Sequence, residues 1–203
     1  MINRSSMEDC NMRHKPFLKY LQLLTLLLLF LQCYSTHGAE DEQFTVGTRV
    51  PSFTLPAPEN AQAQKYLELA SAQPFTISKI GAKIVVIEFF SAMCPHCQTN
   101  APIVNRLYKA IQDDARLSKD VKLIGIAVGN NKKQADAFRK TYKVPFPVFL
   151  DEEYGITGPL GGVDTPTMLV LATADSKVLA CHVGVITDFD AVLKELRELS
   201  KKQ

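Results

Sequence analysis

Continuous apolar runs alternate with helically spaced apolar residues through the middle of the chain. The runs at residues 83–90 (KIVVIEFF) and 121–129 (VKLIGIAVG) are rich in β-branched side chains and predict strands that are covered on both faces. From position 94 to about 117 the apolar residues recur every three or four positions, which predicts a helix after the first strand. A polar-faced helix at 131–142 and a short strand at 146–151 continue the alternation.

The last part of the chain changes to a hairpin and a final helix. Residues 167–172 (TMLVLA) and 177–184 (KVLACHVG) predict paired strands joined by the turn segment TADS. Residues 188–202 predict an amphipathic helix with Asp188 as its N-cap. Strand–helix alternation followed by a hairpin predicts an α/β fold with a central mixed sheet flanked by helices. No repeat or linker divides residues 39–203, so we expect one domain there.

Residues 1–38 have the pattern of an export signal. Basic residues as far as Lys19 precede an apolar stretch (YLQLLTLLLLFLQ), and the small-residue segment STHGA follows it. Gln22 and Thr25 interrupt the apolar stretch, which is shorter than the roughly 20 apolar residues of a transmembrane helix. We expect a signal peptide cleaved after Gly38, with an uncleaved membrane anchor as the alternative.

The body of the chain is electrically neutral. The 203 residues carry 23 basic and 21 acidic side chains, and 46% of them are apolar, which is enough for a buried core. Four of the basic and two of the acidic residues lie in 1–38, so 19 of each remain beyond it. Nucleic-acid binding requires a basic surface, which a neutral body does not favour. No nucleic acid is therefore expected as a partner.

Three of the five cysteines lie in the predicted domain. Cys10 and Cys33 belong to the predicted signal, which leaves Cys94, Cys97 and Cys181. An oxidising compartment favours structural disulfides. A bridge between Cys94 and Cys97 would close almost no loop, however, and would add little stability. A pair this close is better suited to chemistry than to holding the fold together.

The segment around the pair favours a reactive thiol. A helix that begins at Cys94 places its sulfur at the positive end of the helix dipole, near unpaired N–H groups, and His96 can add a cation beside it. These features favour the thiolate, which is the nucleophile. Cys97 lies one helical turn further on the same face, where it can resolve a mixed disulfide. Glu88 is an acid in an apolar strand, and one task for it there is proton exchange with Cys97 through a water.

Together these motifs resemble the thioredoxin fold. They comprise an apolar strand, C-x-x-C at a helix start, Pro102 five residues past the second cysteine, and Thr-Pro-Thr at 165–167. Glu88 occupies the place of the buried acid that thioredoxins carry six residues before the first cysteine. The segment EFFSAMCPHC closely resembles the active-site segment of the periplasmic oxidase DsbA. Residues 46–58 (VGTRVPSFTLPAP) and 75–90 instead resemble the redoxin branch that holds TlpA, ResA and the cytochrome c maturation thioredoxins.

The resemblance covers about residues 46–199 and implies a thioredoxin-like fold with an N-terminal redoxin-type β-hairpin extension. The link at 59–73 is longer than is usual in the family, and we expect a helical insert there. The resemblance also implies a cis peptide bond before Pro166. Thr165 and Pro166, together with Pro95, are then expected to form the substrate-binding element, in which Thr165 presents backbone groups to a bound peptide.

The function implied by the resemblance is that of an exported, periplasmic thiol–disulfide oxidoreductase. It would work through Cys94-Pro95-His96-Cys97 with the help of Glu88, and no cofactor is expected. Its partners would be client proteins with thiols or disulfides and a membrane or soluble redox partner that recycles the disulfide. The direction of electron flow stays open, because the redoxin branch holds mainly reductants whereas a histidine beside Cys94 favours a more oxidising disulfide.

Two other classes of function stay open. A metal-binding or metallochaperone module could use Cys94 and Cys97, but structural zinc prefers four ligands and the rest of the domain adds only Cys181, His96 and His182 as cysteine or histidine ligands. A thiol peroxidase would fit the VPSFTLP segment, but peroxiredoxins carry a proline-and-threonine segment before their nucleophile, which EFFSAM lacks. For Cys181 we expect a buried apolar role, and for His182 a structural role in an edge strand.

Overall fold

The computed structural model describes residues 44–203, and its centre is a five-stranded mixed sheet. The strands of the described chain are β1 (Thr54–Leu55), β2 (Phe75–Thr76), β3 (Ile84–Phe90), β4 (Val121–Val128), β5 (Val148–Asp151), β6 (Thr167–Ala172) and β7 (Val178–Val183). The large sheet has the order β5-β4-β3-β6-β7. β4 is parallel to both β3 and β5, whereas β6 is antiparallel to both β3 and β7. This arrangement confirms the predicted mixed sheet and its hairpin.

The helices follow the predicted alternation. Their bounds are α1 (Ala61–Tyr66), α2 (Pro95–Asp113), α3 (Leu117–Asp120), α4 (Lys132–Tyr142) and α5 (Phe189–Lys202). Short 3-10 segments occur at Ile77–Lys79 and Gly158–Leu160. Asp188 caps α5 as expected, because its side chain accepts a hydrogen bond from the N–H of Ala191. The predicted α/β class is therefore confirmed.

Alternate residues of β3 pack into two different cores. Ile84 packs in one core with Leu107 of α2 and Leu196 of α5. Its neighbour Val85 packs in a second core, to which the N-terminal segment contributes residues such as Phe75. All seven residues of β3 are buried. The strand is thus covered on both faces, as its continuous apolar run predicts.

The segment before β3 forms the expected extension. β1 pairs antiparallel with β2, and the long link between them carries α1. Asn60 caps α1 by accepting a hydrogen bond from the N–H of Ala63 at 2.9 Å. The expected insert at 59–73 is therefore helical only over Ala61–Tyr66.

Tyr66, at the end of α1, contacts the backbone of the central sheet. Its hydroxyl accepts a hydrogen bond from the N–H of Leu123 at 2.8 Å and donates one to the carbonyl oxygen of Leu123 at 3.3 Å. Leu123 lies in β4 just before Gly125, the first β4 residue paired with β5. The phenol thus takes the place of a strand neighbour at this point of the sheet.

One helix boundary differs from the prediction. The predicted helix runs to about position 117, whereas α2 ends at Asp113 and a separate turn, α3, follows. The side chain of Asp114 accepts hydrogen bonds from the N–H groups of Arg116 and Leu117, both at 3.1 Å. Such local hydrogen bonds from a side chain to the backbone compete with the bonds of a continuing helix. The next helical turn begins at Leu117.

The predicted signal at 1–38, with Cys10 and Cys33, lies outside the described residues and stays a prediction, as does the start of the domain at position 39. Within residues 44–203, no helix has both the length and the apolar character needed to cross a membrane.

Candidate active site

Cys94 lies at the N-cap position of α2, directly after the loop that follows β3. Its backbone is extended, and Pro95 occupies the first helical position, where a residue without an N–H group costs nothing. The Cys94 sulfur accepts a hydrogen bond from the N–H of Cys97 at 3.4 Å and donates one to the carbonyl oxygen of Thr165 at 3.3 Å. The sulfur therefore lies among the free N–H groups at the helix start.

These contacts shift the acidity of the Cys94 thiol. Partial burial by itself raises its pKa, but hydrogen bonds outweigh that effect and hold the pKa below its usual value. They come from the N–H and the thiol of Cys97, from the side chain of Thr165 and from the N–H of His96. The His96 side chain is exposed. The helix start thus favours the thiolate of Cys94.

Cys97 has the opposite environment. It is 1% exposed, and burial raises the pKa of its thiol to about 12. The N–H of Ser91 lies 3.5 Å from its sulfur and lowers that pKa in part, while the adjacent Cys94 raises it further. Both cysteines are free thiols in the structure. The pair therefore consists of one accessible, acidic thiol and one buried, weakly acidic thiol.

Two amide side chains hold the loop between β3 and α2. The side-chain oxygen of Asn130 accepts a hydrogen bond from the N–H of Ala92 at 2.8 Å, and its amide nitrogen donates to the hydroxyl of Ser91 at 3.3 Å. Gln98 donates to the carbonyl oxygen of Ala92 at 3.0 Å. Asn130 follows β4 and contacts the loop from 38 residues away. The sequence pattern carries no signal for this contact.

Glu88 is buried in the centre of β3 with one polar partner. It is 4% exposed, and its Oε1 accepts a hydrogen bond from the amide of Asn100 at 2.9 Å. No group of residues 44–203 forms a hydrogen bond with its buried Oε2. Burial raises the pKa of Glu88 to about 8, although the bond from Asn100 lowers it in part. Sequence reasoning missed Asn100, whose signal was a polar residue on the apolar face of α2.

Glu88 and Cys97 line the same small cavity. Its volume is about 10 Å³, close to the minimum that holds one water molecule. The other lining residues are apolar: Phe90, Ala101, Val104, Phe138, Val144 and Phe146. Cys97 is thus the titratable group that shares this cavity with Glu88. The arrangement has room for the water-mediated contact that the sequence suggests.

The loop before β6 closes the other side of the pair. The peptide bond between Thr165 and Pro166 is cis, as predicted. Pro166 is buried and Thr165 half-buried, and the carbonyl oxygen of Pro166 accepts a hydrogen bond from the N–H of Gly184 at 2.8 Å. Met93, immediately before Cys94, is 73% exposed. Cys94 is thus flanked by a polar backbone edge and an exposed apolar side chain.

The structure brings most of the predicted site residues together. Cys94 contacts both Thr165 and Cys97, and Glu88 and Cys97 line one cavity. Cys181 lies half-buried in β7 and packs against a core. His182 beside it forms a 2.7 Å contact with Glu195. No group of three or more histidine, cysteine, aspartate or glutamate residues within the described chain is arranged to hold a metal ion.

The fold and the two unlike thiols define the class of protein, a thioredoxin-fold thiol–disulfide oxidoreductase. The chain belongs to the AhpC/TSA family, whose family model matches residues 46–180.

Known proteins agree with this class. The chain is 25% identical to the thiol-disulfide oxidoreductase ResA of Bacillus subtilis over 170 residues, which are 81% of this chain and 85% of ResA. It is also 25% identical to the thioredoxin-like protein YneN of the same organism over 161 residues, 76% of this chain and 81% of YneN. The predicted resemblance to ResA-type redoxins is thereby confirmed.

Solved structures share the fold. StoA from Bacillus subtilis matches with a TM-score of 0.52 at 18% identity, over 71% of this chain and 96% of that protein. A secreted disulfide oxidoreductase of Mycobacterium tuberculosis matches with a TM-score of 0.52 at 17% identity, over 72% of this chain and 95% of that protein. Both likenesses confirm the thioredoxin-like architecture.

Proposed function

We propose that the chain is an exported, periplasmic enzyme that exchanges disulfides with client proteins through Cys94 and Cys97. The observation that carries this proposal is the contrast between the two sulfurs. Cys94 is partly accessible and its pKa is lowered, whereas Cys97 is buried and its pKa is raised to about 12. An attacking thiol needs access and thiolate character, and a resolving thiol needs only to reach its neighbour.

The exchange takes place in two steps. In the reducing direction, the Cys94 thiolate attacks a sulfur of the client disulfide, forms a mixed disulfide and displaces one client thiolate. Cys97 then loses its proton and attacks the Cys94 sulfur, which forms the Cys94–Cys97 disulfide and displaces the second client thiolate. Two electrons pass from the enzyme to the client. The oxidising direction is the same sequence reversed, and a membrane or soluble partner restores the starting state.

Glu88 serves as the proton acceptor for Cys97 in the second step. A buried thiol with a raised pKa is a poor nucleophile until a base removes its proton. The cavity that Glu88 shares with Cys97 supports this role, since one water there would connect the two groups. Thr165, which the cis peptide bond joins to Pro166, lies beside Cys94 and presents backbone groups to the client, and the side chains of Pro95 and His96 are exposed.

Export is proposed on the pattern of residues 1–38, in which basic residues precede an apolar stretch and a small-residue segment. The similar protein of Mycobacterium tuberculosis is described as secreted.

Trapping of mixed disulfides tests whether Cys94 is the attacking thiol and Cys97 the resolving thiol. Cys97→Ala removes the resolving thiol, so it should accumulate covalent adducts with a model disulfide substrate such as insulin. Cys94→Ala should accumulate none, because the buried Cys97 is not accessible to the substrate. Non-reducing electrophoresis and intact-protein mass measure the adducts, and Cys181→Ala is the control that should turn over normally. Adducts on Cys94→Ala but none on Cys97→Ala would reverse the assignment.

A further inference from the structure

Asn100 connects the buried acid to a distant part of the backbone. It lies on α2, one helical turn past Cys97, and is 1% exposed. Its amide nitrogen donates to Oε1 of Glu88 at 2.9 Å, and its amide oxygen accepts a hydrogen bond from the N–H of Ile186 at 3.0 Å. Ile186 lies in the loop between β7 and α5. One side chain thus holds both Glu88 and this loop.

The two contacts leave Asn100 a single orientation. The N–H of Ile186 can only donate, so it must face the amide oxygen and not the amide nitrogen. The amide nitrogen therefore faces Glu88, where it can only donate. Oε1 of Glu88 is thus always an acceptor. When Glu88 is protonated, the carbonyl oxygen is the better acceptor, and the proton is then on Oε2.

We propose that Asn100 is a positioning residue that occupies Oε1 of Glu88 and thereby leaves Oε2 to exchange its proton with Cys97. This inference rests on the function proposed above for the two cysteines. It assigns the exchangeable proton to one atom, the oxygen that has no hydrogen-bond partner among the described residues. The geometry carries it, because the amide is fixed at both ends and Glu88 shares a cavity with Cys97.

The proton transfer accompanies the second step of the exchange. The Cys97 S–H bond breaks and its proton passes, through one water, to Oε2 of the Glu88 carboxylate. The sulfur keeps the electron pair, forms a bond to the Cys94 sulfur and displaces the client thiolate. Glu88 later returns the proton to solvent. Asn100 takes no proton at any stage, because its amide is not a base, and its N–H stabilises the carboxylate form that the transfer needs.

Titration of Glu88 tests the contact directly and does not depend on activity. In Asn100→Ala, loss of the donor should raise the pKa of Glu88 by about one unit, the size expected for a lost hydrogen bond to a charged group. Carboxyl ¹³C NMR of glutamate-labelled protein measures this pKa, with Glu88→Gln to assign the resonance. Asn130→Ala is the matched control, because Asn130 is also a buried asparagine beside the site but contacts Ser91 and Ala92 instead.

The rate of the second step tests the link to Cys97. A mixed disulfide of Cys94 with thionitrobenzoate is prepared, and release of the coloured thiol is followed across the pH range. Asn100→Ala should slow release at pH 7 about tenfold and move the midpoint of its pH profile upwards by the same one unit. Asn130→Ala should leave that midpoint in place, even if its loop is less stable.

A second variant covers the case in which Asn100→Ala does not fold. Asn100→Asp keeps the shape and the acceptor for Ile186 but replaces the donor with a carboxyl, so the two acids should titrate in two coupled steps. A Glu88 titration unchanged in the folded variants, or an equal shift in Asn130→Ala, would overturn the proposal. So would a shifted titration with an unshifted release profile. Absence of any thiol exchange in the unmodified protein would instead refute the proposed function.

Discussion

Glu88 and Asp151 are two buried carboxylates on the same sheet, and their surroundings differ in one respect. Asp151, at the end of β5, is 2% exposed and accepts hydrogen bonds from the N–H of Ile156 at 2.7 Å and from the N–H of Thr157 at 3.0 Å. The hydroxyl of Thr157 also donates to it. Glu88 is similarly buried, but among the described residues its single donor is Asn100.

The comparison separates a carboxylate that holds the chain from one that is suited to moving a proton. Burial raises the cost of a charged carboxylate, and donated hydrogen bonds offset that cost. Three donors surround Asp151, where the carboxylate closes the loop after β5. With one donor and a pKa raised to about 8, Glu88 can gain or lose a proton near neutral pH. The number of donors therefore distinguishes the two roles better than burial does.

The largest loss of stability is expected for Asp151, the carboxylate that accepts three hydrogen bonds. Asp151→Ala leaves two backbone N–H groups and one hydroxyl without their acceptor, and each buried orphan donor costs about 1–3 kcal/mol. The free energy of unfolding, measured by urea denaturation of the reduced protein, should fall by at least about 3 kcal/mol. Asp151→Asn keeps one acceptor oxygen and should lose less. A loss under about 1 kcal/mol in Asp151→Ala would show that the three bonds contribute little.

The second effect is a dependence of the unfolding free energy on pH that Glu88 should produce. Its pKa is raised from an ordinary value of 4.5 to about 8, so between these values the folded protein binds one more proton than the unfolded chain. The contribution of Glu88 to the free energy of unfolding is fully present below about pH 4.5. It is lost as the pH rises to about 8, at about 1.4 kcal/mol per pH unit. In Glu88→Gln this part of the dependence of the unfolding free energy on pH should vanish.

Urea denaturation from pH 5 to pH 8, on reduced samples of both proteins, measures the difference between the slopes. Because all other groups are shared, their contributions cancel in the comparison. Parallel curves for the two proteins would mean that Glu88 has the same proton affinity in the folded and the unfolded chain.

The smallest effect concerns one donor of Asp151. Thr157 is fully buried, and Thr157→Val keeps its shape while removing the hydroxyl that donates to the carboxylate. The two backbone donors remain, so we expect a loss of about 1.5 to 3 kcal/mol, the net contribution of a hydrogen bond to a charged group. Thermal unfolding of the reduced variant measures it. A loss as large as that of Asp151→Ala would mean that the backbone bonds depend on the hydroxyl.

The sequence predicts the main strands and helices of this fold, because the signals for them lie within a few neighbouring residues. The apolar run of β3, the start of α2 at Cys94–Pro95 and the cap at Asp188 each depend on neighbours within a few positions. The end of α2 is less predictable, since apolar spacing continues to Leu117 while the side chain of Asp114 bonds to the backbone and interrupts the helix. Here the hydrogen bonds of one side chain override the periodic pattern.

The finer parts of the site depend on contacts between distant positions. Asn100 and Ile186 are separated by 86 positions, and Asn130 and Ala92 by 38. No spacing rule indicates which buried amide reaches which backbone group, because that depends on how the strands and helices pack. The chemistry at Cys94, by contrast, follows from its place at a helix start. The sequence therefore indicates which residues are reactive more readily than which residues hold them.

The hydroxyl of Tyr66 has a consequence for self-association. A strand that extends beyond its neighbour exposes a backbone N–H and C=O, and such groups are a template on which another chain can add a strand. β4 extends beyond β5 at Leu123, and both of those backbone groups are bonded to the phenol. The insert that carries Tyr66 therefore protects the sheet against edge-to-edge aggregation at a place where no strand of residues 44–203 covers it.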